Sequence, residues 1–170
     1  WHYINDGTVG TDHKKGADIN VLPVWENYTT GDPDVIVCVV DGGIDYEHED
    51  LAAHYIKGYN FVRNSTKVVA HDHGTHVAGI IAAVNNNAKG AWGIAGGDAA
   101  KGVTGVRLLS CQIFEHDPSN PHEDFSADGA EAIKWAADHG AVIAQNSWGY
   151  SVATYYQAKR AKISQSLREA

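Results

Sequence analysis

Val35-Ile-Val-Cys-Val-Val-Asp41 is an unbroken, largely β-branched run that ends in a carboxylate. A strand that is apolar on both faces is typical of a parallel sheet with helices on both sides. Segments 106–114 and 141–144 are predicted to be two more strands. Helical patterns separate these strands, so the sequence predicts a three-layer α/β/α fold with a central, mainly parallel sheet. Asp41 then lies at the carboxyl end of its strand, where α/β proteins place their sites.

Two segments have the apolar spacing of a helix. One predicted helix begins near His73, and the other ends before Gly140, a residue type that commonly terminates helices. Their apolar stripes are Val77, Ile80, Ile81 and Val84 in the first, and Ala130, Ile133 and Ala137 in the second. Gly79 within the first helix costs about 1 kcal/mol relative to Ala. We therefore expect Gly79 to allow close packing of this helix against the sheet.

Length and charge limit the class of protein. The chain has 170 residues and 44% hydrophobic content, enough for one globular domain or most of one. Its net charge is −8, and no cluster of Lys and Arg offsets it. Phosphate backbones bind basic surfaces, so we expect no nucleic-acid partner. No stretch approaches the roughly 20 apolar residues of a membrane span.

The two cysteines, Cys38 and Cys111, both lie inside apolar, strand-like runs. Buried free thiols behave as small hydrophobic side chains, so we expect two free thiols here. A disulfide between them is the alternative that the sequence leaves open.

Four motifs follow one another in a fixed order along the chain. They are Asp41-Gly-Gly-Ile-Asp45, His48-Glu-Asp50-Leu51, His73-Gly-Thr-His76-Val-Ala-Gly79 and Asn146-Ser147-Trp148-Gly149. In order, spacing and local context they resemble the subtilisin-like serine peptidase family, the subtilases. The resemblance extends over nearly the whole chain, and the heptad that begins at His73 is its most specific part.

The resemblance implies a role for each matching residue. Asp41 would hold the tautomer and orientation of an imidazole, and His73 would be the general base and then the general acid of acyl transfer. The backbone of Ser147, Trp148 and Gly149 would pair with an extended peptide substrate. The implied activity is that of an endopeptidase that forms an acyl-enzyme and requires no cofactor for catalysis.

The sequence departs from the family pattern at two places. Gly42 stands where the family usually has Ser or Thr, and no serine of this chain lies in the family's Gly-Thr-Ser-Met-Ala nucleophile context. Ser166-Leu-Arg-Glu169 has the pattern of a capping box, which predicts a helix that begins near Leu167. We therefore predict that 1–170 is the N-terminal portion of a single catalytic domain. The remainder of that domain would supply the nucleophile, and this chain alone would be inactive.

Two metal sites are candidates. The resemblance implies a structural calcium ion held by oxygen ligands, with Asp50 and Asn86 as its candidate residues, although ordinary turn chemistry explains the asparagines of 85–87 equally well. A zinc hydrolase is an alternative reading in which the metal ligands are His71, His73 and His76. That reading leaves Asp41 without a role. The resemblance and the surrounding apolar stripe favour a partly buried structural histidine at His76 instead.

A second alternative to the peptidase is a catalytically incomplete peptide-binding module, or pseudoenzyme, that keeps the substrate groove. The paired Asp41 and His73 argue against it, because nothing structural requires both. The resemblance also favours an extracellular or cell-envelope location, although the chain contains no signal-peptide pattern.

Overall fold

The computed structural model describes residues 2–8, 10–116 and 124–149. Its elements, in chain order, are α1 (Leu22–Asn27), β1 (Ile36–Asp41), β2 (Tyr55–Asn60), α2 (Asp72–Ala82), β3 (Gly97–Asp98), β4 (Val103–Thr104), β5 (Arg107–Gln112), β6 (Phe114–His116), β7 (Asp124–Ser126), α3 (Gly129–Asp138) and β8 (Ile143–Asn146). No helix among the described residues is both long and apolar enough to cross a bilayer.

The main sheet has four strands in the order β2-β5-β1-β8, and every neighbouring pair is parallel. β1 is paired on both sides, with β5 and with β8, and its residues from Val37 to Asp41 are buried. This is the sheet that the β-branched run predicts. The structure confirms the α/β fold and the central parallel sheet.

Within the described residues, each face of the sheet carries one helix and one apolar cluster. The cluster under α2 contains Val37, Val39, Ile44, Leu51, Ala78, Ala82, Val106 and Leu108. The cluster under α3 contains Cys38, Val40, Leu109, Cys111, Ile113, Ala132 and Ala136. Alternate residues of β1 and β5 enter opposite clusters, because successive strand side chains point to opposite faces. The three layers position the carboxyl ends of β1 and β8 side by side.

The helical periods were predicted correctly, and Val77 and Ile81 of the predicted α2 stripe do pack against the core, but the predicted face of α3 is exposed. On α2 the buried positions are Gly74, Ala78 and Ala82, whereas Ile80 of the predicted stripe is 41% exposed. A Cβ atom at Gly79 would meet nothing within 4 Å, so close packing does not explain that glycine. On α3 the buried positions are likewise small.

Ala132 and Ala136 face the sheet, and Ile133 is 41% exposed. Small residues let the helix backbone approach the strands, and this preference for close approach outweighs the tendency of larger apolar side chains to face the core. Gly74 is the clearest example, because an added Cβ would lie 2.1 Å from the Gly43 carbonyl oxygen.

The observed strand boundaries also differ from the predicted ones. The predicted strand 106–114 is β5 followed by the separate β6, and the predicted strand 141–144 lies two residues later as β8. α1 and β2 were not predicted. The helix predicted from Ser166 lies outside the described residues.

Candidate active site

Asp41 and His73 face each other at the carboxyl end of the sheet. Asp41 is the last residue of β1, and His73 lies in the first turn of α2. The His73 Nδ1 atom is 3.0 Å from Asp41 Oδ1 and 2.9 Å from Oδ2. The structure thus brings together the two residues that the sequence singles out as catalytic.

This contact determines which ring nitrogen of His73 is free. A carboxylate accepts hydrogen bonds, so Nδ1 carries the proton and donates, which leaves Nε2 as an acceptor in the neutral ring. The side chain of Asp41 is 1% exposed, while that of His73 is 49% exposed. The backbone N–H of Gly42 also donates to Asp41 Oδ1 at 2.7 Å. The pair therefore presents a basic nitrogen to the open side from a buried, oriented carboxylate.

The neighbourhood of Gly42 explains why no side chain is present there. An added Cβ would lie 2.6 Å from His71 Cγ and 2.8 Å from Phe114 Cε2. The rings of His71 and Phe114 meet edge to face, with centroids 5.5 Å apart. The space that a Ser or Thr would use at this position is filled by the His71 ring.

Sequence reasoning assigned no role to Gly74 and Thr75, although both lie inside the His73–Gly79 motif. An added Cβ at Gly74 would lie 3.1 Å from Asp41 Oδ1, so glycine lets α2 start against the carboxylate. The Thr75 Oγ1 atom accepts a hydrogen bond of 2.9 Å from the Asp45 backbone N–H. These contacts connect the start of α2 to the loop after β1, and the motif itself was the signal that could have revealed them.

The predicted substrate segment lies next to this pair. Asn146 ends β8 and is in register with Val40 of β1, so Ser147, Trp148 and Gly149 leave the sheet at the same edge as Asp41. An added Cβ at Gly129 would lie 3.1 Å from the Trp148 ring, which therefore packs over the start of α3 while keeping an exposed face.

A cavity of about 820 Å³ lies on the outer side of α2, and its lining includes neither Asp41 nor His73. Its lining includes Thr75, His76, Gly79, Ile80 and Trp92. His76 is exposed to this cavity, so the expectation of a partly buried structural histidine is wrong. Because residues three apart lie on neighbouring parts of a helix surface, His76 faces outward beside His73.

The two candidate calcium residues have different partners. The buried Asp50 carboxylate accepts hydrogen bonds from Asn87 Nδ2 at 2.7 Å and from the Ala91 backbone at 3.0 Å. Asn86 Nδ2 instead donates to Asp98 Oδ1 at 2.9 Å. This hydrogen bond, followed by the one from Lys101, lowers the pKa of Asp98. Asn87, rather than Asn86, is the asparagine that faces Asp50.

The three histidines of the zinc reading do not converge. His73 turns Nδ1 toward Asp41, the His71 ring packs against Phe114, and His76 faces the cavity. Within the described ranges, no group of three or more His, Cys, Asp and Glu residues could hold a metal ion.

Comparisons with known proteins agree with this geometry. A family model described as the subtilase family matches residues 32–170. A thermophilic serine proteinase from Bacillus sp. (strain AK1) is 38% identical over 126 residues, which cover 74% of this chain and 28% of that protein. The halolysin-like extracellular serine protease Nep from Natrialba magadii is 34% identical over 154 residues, 85% of this chain and 26% of that protein.

Among solved structures, fervidolysin from Fervidobacterium pennivorans, described as a keratinolytic enzyme related to subtilisin, is similar with a TM-score of 0.54. The identity is 33%, and the match covers 76% of this chain and 19% of fervidolysin. This chain thus spans less than a third of the length of each of these three proteins.

Proposed function

The chain belongs to the subtilase family, and from that premise we propose that it is the N-terminal portion of the catalytic domain of a serine endopeptidase. The contact between Asp41 and His73 carries the proposal, because it orients one imidazole nitrogen toward the open side of the site. Support also comes from the relatives, which are named as serine proteinases.

We propose one step of the reaction for each residue. His73 Nε2 would accept the proton of a serine hydroxyl as it attacks the peptide carbonyl, and would return that proton to the leaving amine. Asp41 would stabilise the imidazolium that forms, because its charge is fixed and buried beside Nδ1. The backbone after β8 would hold the peptide as an added strand, with Trp148 beside its side chains.

The serine itself would arrive on the remainder of the catalytic domain. The cavity beside α2 is bordered by Asp72 and His76, which are near neighbours of His73 on the helix, and the helix surface there combines the bare Gly79 with the exposed Ile80. A small residue next to an exposed apolar one is a surface against which another helix can pack closely. We expect the segment that carries the nucleophile to occupy this cavity.

A serine-directed probe tests this proposal on the full-length protein. A fluorophosphonate reacts with an activated serine, and mass spectrometry of the digested protein locates the labelled peptide. We expect one labelled serine that lies outside 1–170, and loss of the label in His73→Ala. A label within 1–170 would contradict the missing nucleophile. The chain 1–170 made alone should hydrolyse no peptide substrate.

The same experiment separates the peptidase from a pseudoenzyme. A peptide-binding module would bind peptides to the groove after β8 but would show neither labelling nor turnover. The intact Asp41–His73 contact favours the enzyme, because a binding module has no need of an oriented base.

We also propose a structural calcium ion near Asp50. The proposal rests on a buried carboxylate within a tight loop, where an added Cβ at Gly90 would lie 1.7 Å from Asp50 Oδ2, and a bound ion would replace the hydrogen bonds that Asn87 Nδ2 and the Ala91 N–H donate to Asp50. Calcium prefers oxygen ligands of this kind, and no step of the reaction passes through it. Calcium should raise the Tm of the full-length protein relative to a chelator, and Asp50→Asn should remove this difference. Asn86→Ala and Asn87→Ala then decide which asparagine is a ligand.

The proposed location is extracellular or in the cell envelope, by analogy with the relative from Natrialba magadii that is named as extracellular. Secretion of the full-length product into the culture medium would support it. The predicted absence of a nucleic-acid partner rests on the net charge and stays a prediction.

A further inference from the structure

Gln112 is a buried amide beside the Asp41–His73 pair, and the proposed reaction gives it no step. It is the last residue of β5, it is 1% exposed, and strand pairing places it in register with Asp41. Leu108, four residues earlier on β5, belongs to the cluster under α2, and alternate residues of a strand share a face. The Gln112 side chain is therefore on the α2 face, next to Asp41 at the carboxyl end of the sheet.

The segment 68–71 leads into α2 and passes close to the ends of the strands. Val68 is buried there, and an added Cβ at Gly58 of β2 would lie 2.6 Å from its Cγ2 atom. The Val69 carbonyl oxygen lies so close to the turn after β1 that an added Cβ at Gly43 would be 2.1 Å from it. At both positions glycine permits this close approach, so the shape of the sheet end holds the segment in place.

A hydrogen bond joins this segment to Gln112. The Val69 N–H donates to Gln112 Oε1 at 2.9 Å, and Val69 lies four residues before His73. The backbone around Gln112 is fixed too, because the next residue, Ile113, donates to the Asp41 carbonyl oxygen at 2.8 Å. The glutamine thus connects the strand that ends in Asp41 with the segment that leads to His73.

We propose that Gln112 is a positioning residue, which holds the Val69 N–H and thereby sets the start of α2, and with it the His73 ring, against Asp41. This inference rests on the proposed peptidase function and adds a residue to the same site. A glutamine amide accepts the hydrogen bond without placing a charge beside the Asp41 carboxylate. Proton transfer requires hydrogen-bond distances, and a displacement of about 1 Å can cost roughly 100-fold in rate.

Two substitutions of Gln112 test the acceptor in the full-length protein. Gln112→Met keeps a side chain of similar length but removes the oxygen, so the Val69 N–H loses its partner. Gln112→Glu keeps an oxygen at the same reach, because a carboxyl group accepts hydrogen bonds in either protonation state. With a peptide substrate, we expect Gln112→Met to lower kcat by roughly 10-fold to 100-fold and to change KM by less than about twofold. Gln112→Glu should restore most of that loss, and wild-type kcat in Gln112→Met would overturn the proposal.

Two other buried residues of β5, on the same face, separate positioning from stability alone. Leu108→Ala weakens the cluster under α2, to which the segment 68–71 contributes no residue. Ser110→Ala removes a buried hydroxyl that has no hydrogen-bond partner among the described residues. At a temperature where circular dichroism shows every variant folded, both should keep kcat near normal. If Leu108→Ala lowers kcat as much as Gln112→Met does, Gln112 acts through stability and the proposal fails.

A readout that needs no turnover completes the test. The proton between His73 Nδ1 and the Asp41 carboxylate should give a low-field proton NMR resonance, which is assigned by its loss in His73→Ala. We expect Gln112→Met to shift or broaden this resonance, while Leu108→Ala keeps it. An unchanged resonance in Gln112→Met would overturn the positioning role. If the wild type hydrolyses no peptide, the proposed function fails, and the resonance still decides whether Gln112 sets the contact.

Discussion

β1 and β8 are neighbouring parallel strands, yet they are in opposite environments. β1 is paired on both sides and is buried from Val37 to Asp41, whereas Ile143 of β8 is 49% exposed and the described residues pair β8 on one side only. Asp41 is the last residue of the first strand, and the substrate segment follows the second. The proposed proton-transfer residues are therefore supported by a strand that is paired on both sides. The proposed substrate segment instead follows a strand that is paired on one side only among the described residues.

The outer sides of α2 and α3 can be compared in the same way. Both pack small residues against the sheet and carry an isoleucine on the outer side, with Ile80 of α2 and Ile133 of α3 each 41% exposed. Ile80 borders the cavity beside α2, and Ile133 does not belong to its lining. Equal exposure in the described chain therefore need not mean equal exposure in the whole protein.

We expect the largest effect on activity from substitutions of His73 and Asp41. His73→Ala removes the base, and Asp41→Asn changes the tautomer that Nδ1 must hold, so each should lower kcat by roughly 10,000-fold or more with KM little changed. Peptide-substrate kinetics on the full-length protein provide the measurement, and circular dichroism checks that both variants fold.

His139→Ala is the matched control for this pair. His139 is at the other end of α3, where it stacks on Trp135 with ring centroids 3.8 Å apart. Its loss should leave kcat near normal. Near-normal turnover in His73→Ala itself would remove the proposed base.

The next prediction tests how much the core of the main sheet contributes to the free energy of unfolding. Leu108 of β5 is fully buried in the cluster under α2, so Leu108→Ala should lower the free energy of unfolding by about 2–5 kcal/mol. Urea denaturation of the full-length His73→Ala protein measures it. Tyr28→Ala, at an exposed position, should change that free energy by less than about 0.5 kcal/mol. Equal losses in the two variants would show that the sheet is not the stabilising core.

We expect a smaller effect on activity from a substitution at Gly42, the residue that follows Asp41. Gly42→Ser introduces the residue type usual in the family, but its Cβ would clash with His71. Because displacing a catalytic group by about 1 Å can cost roughly 100-fold, we expect kcat/KM to fall by roughly 10-fold to 100-fold. His71→Ala should restore part of the loss in the double variant, because it removes the clash with the His71 ring and leaves the one with Phe114. Unchanged activity in Gly42→Ser alone would mean that the His71 ring moves aside without cost.

The sequence predicted the central strand and the start of α2 better than it predicted which helix residues are buried. The run before Asp41 predicted a doubly covered strand because every residue in it is apolar, and the motif at His73 predicted the helix start. The buried helix faces could not be derived from periodicity, because Ala78 and Ala132 are favoured by backbone proximity rather than by hydrophobicity. The contact of His71 with Gly42 was equally hidden, since it depends on the position of Phe114 from a distant strand.

The smallest effect is a difference between two matched substitutions. If the remainder of the domain fills the cavity beside α2, Ile80 becomes buried there while Ile133 keeps its exposure, so Ile80→Ala should cost about 1–2 kcal/mol more than Ile133→Ala. Both variants are made in the full-length His73→Ala protein and measured by urea denaturation. Because each removes the same atoms from a helix position of the same exposure, propensity and side-chain entropy cancel in the comparison. Equal losses of unfolding free energy in the two variants would contradict docking of the remainder of the domain against α2.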